Sequence, residues 1–511
     1  MAERLAARLR LAAWWPHVPG FLWAATMAGL PLTSFPLITR FTGSTVAPFS
    51  AIPLAVFALV WFFPYLLRRG SLPKESIPFV FFVLWVIALA AFAFFDTTGM
   101  FRDKSLLGQT IRSFLPFIIG VAFYFITAAW LRDTAQLRRS LQWIYVGGIV
   151  SLVYAVAQVL VTVILDGKPP QIMNVLQSIL VTQSNIKGTG RIAGLTWEPS
   201  WFAHQLNMLY LPLWLAASYR RTSVFPRLWK ISWENIFLVL GMVAFFFTSP
   251  RIGGVACMAM LLFLFLKFNL AVYRWVVRRL SGLWGAVRRS RLIRVGVAAL
   301  VVVIFLGIYA GFSWGVLKVV SEHDWRVGLI LKSPLTQSDI QRLSKLNENT
   351  LFFLGQRFAF LERTVFWMTG WHIFNDHPLI GVGIGNAGYY YPDHLPSIGW
   401  ASYEIRRLMY QDDGLPNIKS FWYRLLAETG IIGFMLFITW MLVLWFSVSA
   451  SQRGRDPTLR TVSLACQLAL LAFVFEGFSI DSFGLPYLFV MTGISAAVGL
   501  IYRRTITQPA G

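Results

Sequence analysis

The feature that most constrains this chain is a rhythm of apolar runs, each of about 20 residues and so long enough to cross a bilayer. Twelve are legible, at roughly 19–39, 46–67, 76–95, 111–131, 142–165, 199–218, 234–249, 252–272, 295–317, 421–448, 461–480 and 486–502. With 57% hydrophobic and only 13% charged residues, the chain holds more apolar surface than a soluble core can hide. The expected fold class is therefore an all-α polytopic membrane protein of about twelve transmembrane helices. The seventh run is short, and Pro31 and Pro36 interrupt the first. The basic opening "MAERLAARLR" resembles the start of a signal peptide. The apolar stretch after it runs past residue 35, which predicts an uncleaved first span.

Lys and Arg outnumber Asp and Glu by 45 to 22. In a soluble chain this would suggest nucleic acid; here the excess sits in the gaps between runs, so topology explains it and no nucleic acid is expected. Arg4, Arg8 and Arg10 precede the first run, and Arg68, Arg69 and Lys74 follow the second. Further clusters follow the fourth, sixth, eighth, tenth and twelfth, the densest running from Arg274 to Arg294. All fall on one side, which the positive-inside rule makes cytoplasmic, with both termini inside. The other face then carries two long segments, about 166–198 and 318–420. The expected organisation is helices 1–9 over 1–317, a large, mostly helical loop subdomain on the outer face over 318–420, and helices 10–12 over 421–511. Cys257 and Cys466 lie within apolar runs and imply neither disulfide nor zinc.

Charged residues on the outer side are informative, because topology does not explain them. "RIAGLTWEPSWFAHQL" gathers Arg191, Glu198 and His204 around the start of the sixth run. Glu198 precedes Pro199, which suits a helix start, although Glu is a poor side-chain cap. His204, about 600° of helical turn further on, points elsewhere and reads as structural. Arg251 lies in "TSPRIGG", a tight turn where a fork-shaped cation suits phosphate. Arg357, Arg363 and Arg424 lie near span ends, where snorkelling to headgroups is the competing explanation.

Glu428 lies about two turns into the tenth run, where a charge costs roughly 2.5–3.5 kcal/mol. Helical spacing puts Asn417, Arg424 and Glu428 on one face, with Arg424 and Glu428 at the i,i+4 distance of an internal pair. "GIGNAG" (383–388) matches the dinucleotide fingerprint in letters only, since no strand–turn–helix surrounds it; a re-entrant turn fits better. Tyr389, Tyr390 and Tyr391 form an interfacial belt or a sugar-stacking platform. Asp412–Asp413 lacks companions for a metal site, and His377 before Pro378 reads as a turn residue or a base.

Taken together, "RTVFWMTGWHIFNDHPLIGVGIGNAGYY", "PNIKSFWYRLLAETGIIGF" and "TSPRIGG" resemble the bacterial O-antigen ligase and O-antigen or exopolysaccharide polymerase superfamily. The last matches that family's turn at Ser249 and Arg251, with Pro250 intervening. The resemblance implies a GT-C-like, inverting, metal-independent glycosyltransferase of the bacterial inner membrane with no cofactor. It implies undecaprenyl-diphosphate-linked glycans as donor and acceptor, membrane lipids around it, and a chain-length regulator protein as a partner. Arg251 and Arg363, with Arg191 a weaker match, would hold the donor diphosphate; Arg357, Asn417, Arg424, His377 and Tyr390 would line the substrate site. Glu198, then Glu428, would be the general base. Family ligases carry a histidine before the position of Asn417; here it is Pro416, which favours polymerase over a ligase acting on lipid A core. A protein-directed O-oligosaccharyltransferase remains an alternative. A transporter is the competing class; it predicts charges paired along a central path and matched broken helices, and no internal repeat is evident.

Overall fold

The computed structural model describes residues 17–507 except 45, 93–99, 102–103, 166–168, 183–190, 228, 249, 284–290, 324–327, 329–335, 344–347, 358–359 and 412–413. Ser249 and the Asp412–Asp413 pair thus lie outside the described residues. The protein is an all-α polytopic membrane protein, and its described extended pairing is a two-residue ribbon of Met100–Phe101 with Lys104–Ser105 and an isolated bridge between Ser34 and Ala47.

Among the described residues, eight helices are long and apolar enough to cross a membrane. They are α3 (Ile77–Phe92, continuing a short turn from Lys74), α4 (Leu106–Trp130), α5 (Thr134–Ile164), α8 (Arg251–Leu283), α9 (Arg291–His323), α10 (Phe421–Ser451), α11 (Pro457–Glu476) and α12 (Pro486–Thr507). The other four expected runs form shorter or interrupted helices: α1 (Val18–Ala28), α2 (Ala51–Leu67), α6 (199–220) and α7 (Trp233–Thr248). The run expected over 19–39 divides, because α1 ends before Pro31 and a separate helix starts at Pro36.

The interruptions in α2 and α6 have a common cause. Each contains one π-helical turn, Ala58–Phe62 and Leu206–Tyr210, and each turn is followed two residues later by a proline, Pro64 and Pro212. Proline lacks the N–H that would bond the carbonyl four residues back, and its ring crowds that carbonyl. A π turn centred on that carbonyl makes room for the ring.

The chain divides into two compact units. The first comprises 1–256, 369–395 and 408–511, and therefore α1–α7 and α10–α12. Its helices approach closely at glycines: a methyl on Gly147 would lie 2.5 Å from the Ala28 carbonyl, and one on Gly493 2.7 Å from Thr127. An aromatic knot of Phe79, Tyr124 and Trp440 fills its centre. Towards one end, buried Glu75 takes Arg503 and Ser447 and ties α12 and α10 to the turn before α3. The second unit comprises 257–368 and 396–407. There α8 and α9 meet through Phe265 and Phe305, and Tyr309 donates to the Met258 carbonyl. Short helices Gln337–Leu343 and Glu348–Arg357 follow.

Candidate functional site

At one end of the first unit, the starts of α6, α8, α10 and α12 meet the ends of α7 and α11. Arg191 is drawn here by an orphan carbonyl: its Nε donates to Thr248 O, 2.8 Å away at the last residue of α7. Helix C-termini expose such carbonyls and carry the negative end of the macrodipole, so an arginine suits the place.

Glu198 occupies the N-cap of α6 with extended backbone, but its side chain caps no helix N–H. Instead its half-buried carboxylate takes the Ser200 hydroxyl. One turn and a half further on, the helix is fully buried. His204 Nδ1 lies 2.6 Å from Glu476 Oε2, and Asn207, in the π turn, donates through Nδ2 to Glu476 Oε1 at 2.5 Å and to Gly253 O at 2.8 Å. Asn207 thereby bridges α6, the first turn of α8 and the last residue of α11. The close fit needs Gly253, whose added methyl would lie 2.9 Å from Pro250 and 3.2 Å from Glu476. Arg251 opens α8 two residues earlier and is half-buried.

Glu476 was not singled out from the sequence. It closes an apolar run, and its partners lie 272 and 269 positions away. The only signal was chemical: a carboxylate in apolar sequence demands a partner. Tyr487, buried in the first turn of α12, is within electrostatic reach of Glu476, Asp481 and Glu198, and its hydroxyl has no hydrogen-bond partner among the described residues.

The second half of the site surrounds the start of α10. Phe421 N donates to Gly477 O, fixing this start to the end of α11. Arg424 Nε bonds Glu428 Oε1 at 2.9 Å, the i,i+4 pair the spacing allows. Its Nη1 bonds the Asp481 carbonyl, and the guanidinium lies over the Phe483 ring at 4.9 Å. Asn417 precedes the helix, so helical phase does not relate it to Arg424. The two converge by another route, because Asn417 Nδ2 also donates to Asp481 O, at 3.4 Å.

Two residues beyond Glu428, α10 breaks at Gly430, which adopts φ +62°. Segment 378–383 supplies the hydrogen bonds the helix gives up. Val382 N bonds Ala427 O, Gly383 N bonds Glu428 O, Ile431 N bonds Pro378 O and Ile432 N bonds Leu379 O. Backbone contact explains Gly381, φ +70°, where an added methyl would lie 2.6 Å from the Glu428 carbonyl carbon; Gly383 and Gly385 share its positive φ, at +87° and +81°. Asn386 ties the same turn to α4 through Thr110.

His377 packs its ring against Tyr390, with centroids 5.0 Å apart. Beside them His394 joins the Asp376 carboxylate at 2.8 Å to the Tyr390 carbonyl, and His372 bonds the His394 carbonyl. His394 was not singled out from the sequence, nor was Arg112 of α4, which lies within electrostatic reach of Tyr389, whose phenol burial pushes up. Among the described residues, no three His, Cys, Asp or Glu side chains are placed to hold a metal ion.

Arg357 and Arg363 belong to the second unit. Arg357 forms an ion pair with Asp339 at 2.6 Å. Arg363 is half-buried in the first turn of a helix spanning Leu361–Asp376, where neighbouring Glu362 takes the Ser402 hydroxyl at 3.3 Å.

Compared with known proteins, residues 236–438 match the family model described as O-antigen ligase (Wzy_C). No curated protein matches the chain. The family match agrees with the superfamily resemblance and supports a membrane-bound glycosyltransferase activity of the O-antigen ligase or polymerase type in polysaccharide biosynthesis. It takes in Arg251, Arg357, Arg363, His377, Tyr390, Asn417, Arg424 and Glu428; Arg191, Glu198, His204, Asn207 and Glu476 lie outside it.

Proposed function

With a domain of the O-antigen ligase family at residues 236–438 as the starting point, we propose that this protein is a lipid-linked glycan polymerase of the bacterial inner membrane. It transfers an undecaprenyl-diphosphate-linked glycan onto a repeat unit carried by a second such lipid, at the periplasmic face. The basic clusters between spans support cytoplasmic termini. The observation that carries the reading is the convergence at one end of the first unit: Arg251 at the head of α8 and Glu198 at the head of α6, joined through Asn207, Gly253 and Glu476.

In the proposed reaction an acceptor sugar hydroxyl attacks the donor's anomeric carbon with inversion. The bond from that carbon to the diphosphate oxygen breaks, and undecaprenyl diphosphate departs. Arg251 holds the diphosphate and stabilises its growing charge, a role suited to a bidentate guanidinium and to a helix N-terminus. Glu198 accepts the hydroxyl proton. Its carboxylate is not engaged in capping the helix, which leaves it suited to proton transfer. Glu428 is the second candidate, and its pairing with Arg424 suits it better to shaping the wall. His377 and Tyr390 offer a ring edge for a sugar.

Polymerase is favoured by Pro416, where family ligases carry histidine. Ligase is the second reading, favoured by the family's description. Incubating the purified protein with lipid-linked repeat units separates them. A ladder of lengthened lipid-linked products is the polymerase outcome; transfer only onto lipid A core is the ligase outcome. No glycan transfer to either acceptor overturns both.

A further inference from the structure

The helix Gln171–Leu180, between α5 and α6, is not used by the proposed reaction, and its three faces are chemically distinct. At about 100° of turn per residue, Ile172, Val175, Leu176 and Ile179 fall in one sector about 100° wide. They are 71%, 49%, 45% and 59% exposed. A second sector holds Met173 and Gln177, both buried against the first unit, where the Tyr154 hydroxyl of α5 lies 3.3 Å from Gln177 Oε1. The third sector holds Gln171, Asn174 and Ser178, polar and exposed. No residue from 169 to 186 is charged.

We propose that this helix lies in the plane of the membrane, its Ile172–Ile179 face sunk into the boundary between headgroups and acyl chains. One face for protein, one for hydrocarbon and one for water is what an interfacial helix requires; a helix surrounded by water has no use for four exposed branched aliphatics on one stripe. The occupant is lipid because the membrane-crossing helix just before it in sequence carries an exposed apolar face of the same kind. Val153, Leu160, Val163 and Ile164 of α5 are all exposed, and α5 ends only seven residues before this helix begins. The helix also precedes the Arg191–Glu198 segment, so it anchors the approach to α6 at the membrane surface. The expected immersion is about 5–10 Å.

Nitroxide scanning of the full-length protein in proteoliposomes tests this. Single-cysteine variants Ile172→Cys, Leu176→Cys and Ile179→Cys are compared with Asn174→Cys and Ser178→Cys, with buried Cys257 and Cys466 replaced by serine. The apolar positions should collide with dissolved oxygen and be shielded from a water-soluble nickel chelate, while the polar positions show the reverse. Accessibility of the apolar positions to nickel would overturn the proposal in favour of a solvated helix. Shielding from both reagents would overturn it in favour of a protein partner or a second copy. Neither readout depends on glycan transfer.

Discussion

Glu476 and His204, separated by 272 positions, meet at 2.6 Å in the interior of the first unit. The carboxylate is wholly buried, and Asn207 satisfies its other oxygen. Removing it leaves a buried imidazole without its partner and takes from the Asn207 amide one of its two acceptors. Glu476→Ala is expected to cost about 3–5 kcal/mol. Glu476→Gln, which keeps the volume and still accepts from Asn207, should cost less. Thermal unfolding in detergent measures both; equal losses would mean that charge, not hydrogen bonding, holds the three helices.

Glu198→Gln separates two roles. The side chain caps no N–H, and glutamine still accepts from Ser200, so the main loss is the interaction with the helix dipole, about 0.3–1 kcal/mol. A general base removed should slow transfer by about 10²–10⁴. Melting and turnover are read on one preparation. Wild-type turnover would remove Glu198 from the mechanism and advance Glu428.

Arg251→Ala is expected to abolish glycan extension while the protein stays folded in the membrane. Arg251→Lys should restore only part of it, because a point charge lacks the two-pronged geometry for a diphosphate. Gel analysis of product length reads the result. Full-length polymer from the alanine variant would rule out the diphosphate role.

Gly430→Ala forces a side chain into positive φ, and its methyl would stand 2.2 Å from the Leu379 carbonyl oxygen. Strain and crowding together predict a loss of about 3 kcal/mol, visible as a lower melting temperature. An unchanged melt would mean that segment 378–383 yields without cost.

In the second unit, hydrogen bonds from Thr336, and then Arg357, hold the Asp339 carboxyl below its ordinary range. Thr336 and Asp339 bracket the first turn of the Gln337–Leu343 helix, Thr336 N donating to Asp339 Oδ2 at 2.8 Å. A depressed folded pKa means that the stabilisation is complete above the ordinary carboxylate range. It is lost as pH falls through the depressed value. Protection of 337–343 against hydrogen exchange, relative to the intrinsic rate at each pH, should therefore fall in acid, and Asp339→Asn should flatten that dependence.

The sequence made the spanning helices legible because a bilayer imposes a length, and the Arg424–Glu428 pair legible because its geometry is contained in one helix. Contacts that depend on distant segments were not. Glu476 gives no local sign that it will face α6 and α8. Asn417 and Arg424 converge on a backbone carbonyl, which has no letter of its own. The π turns of α2 and α6 follow from Pro64 and Pro212, yet proline in a membrane helix equally allows a kink, so the sequence alone does not choose between them. Glycines 381, 383 and 430 were visible as a motif, but their reason lies in two chain segments sharing one ladder.

That ladder bears on how the protein is made. A helix carrying the break at Gly430 cannot enter hydrocarbon with its exposed amides and carbonyls unmet, since each costs several kcal/mol. Their partners at 378–383 lie about fifty residues nearer the N-terminus and leave the ribosome first. When α10 is delivered to the bilayer, the segment that completes it has already been synthesised, so the order of translation matches the order of assembly.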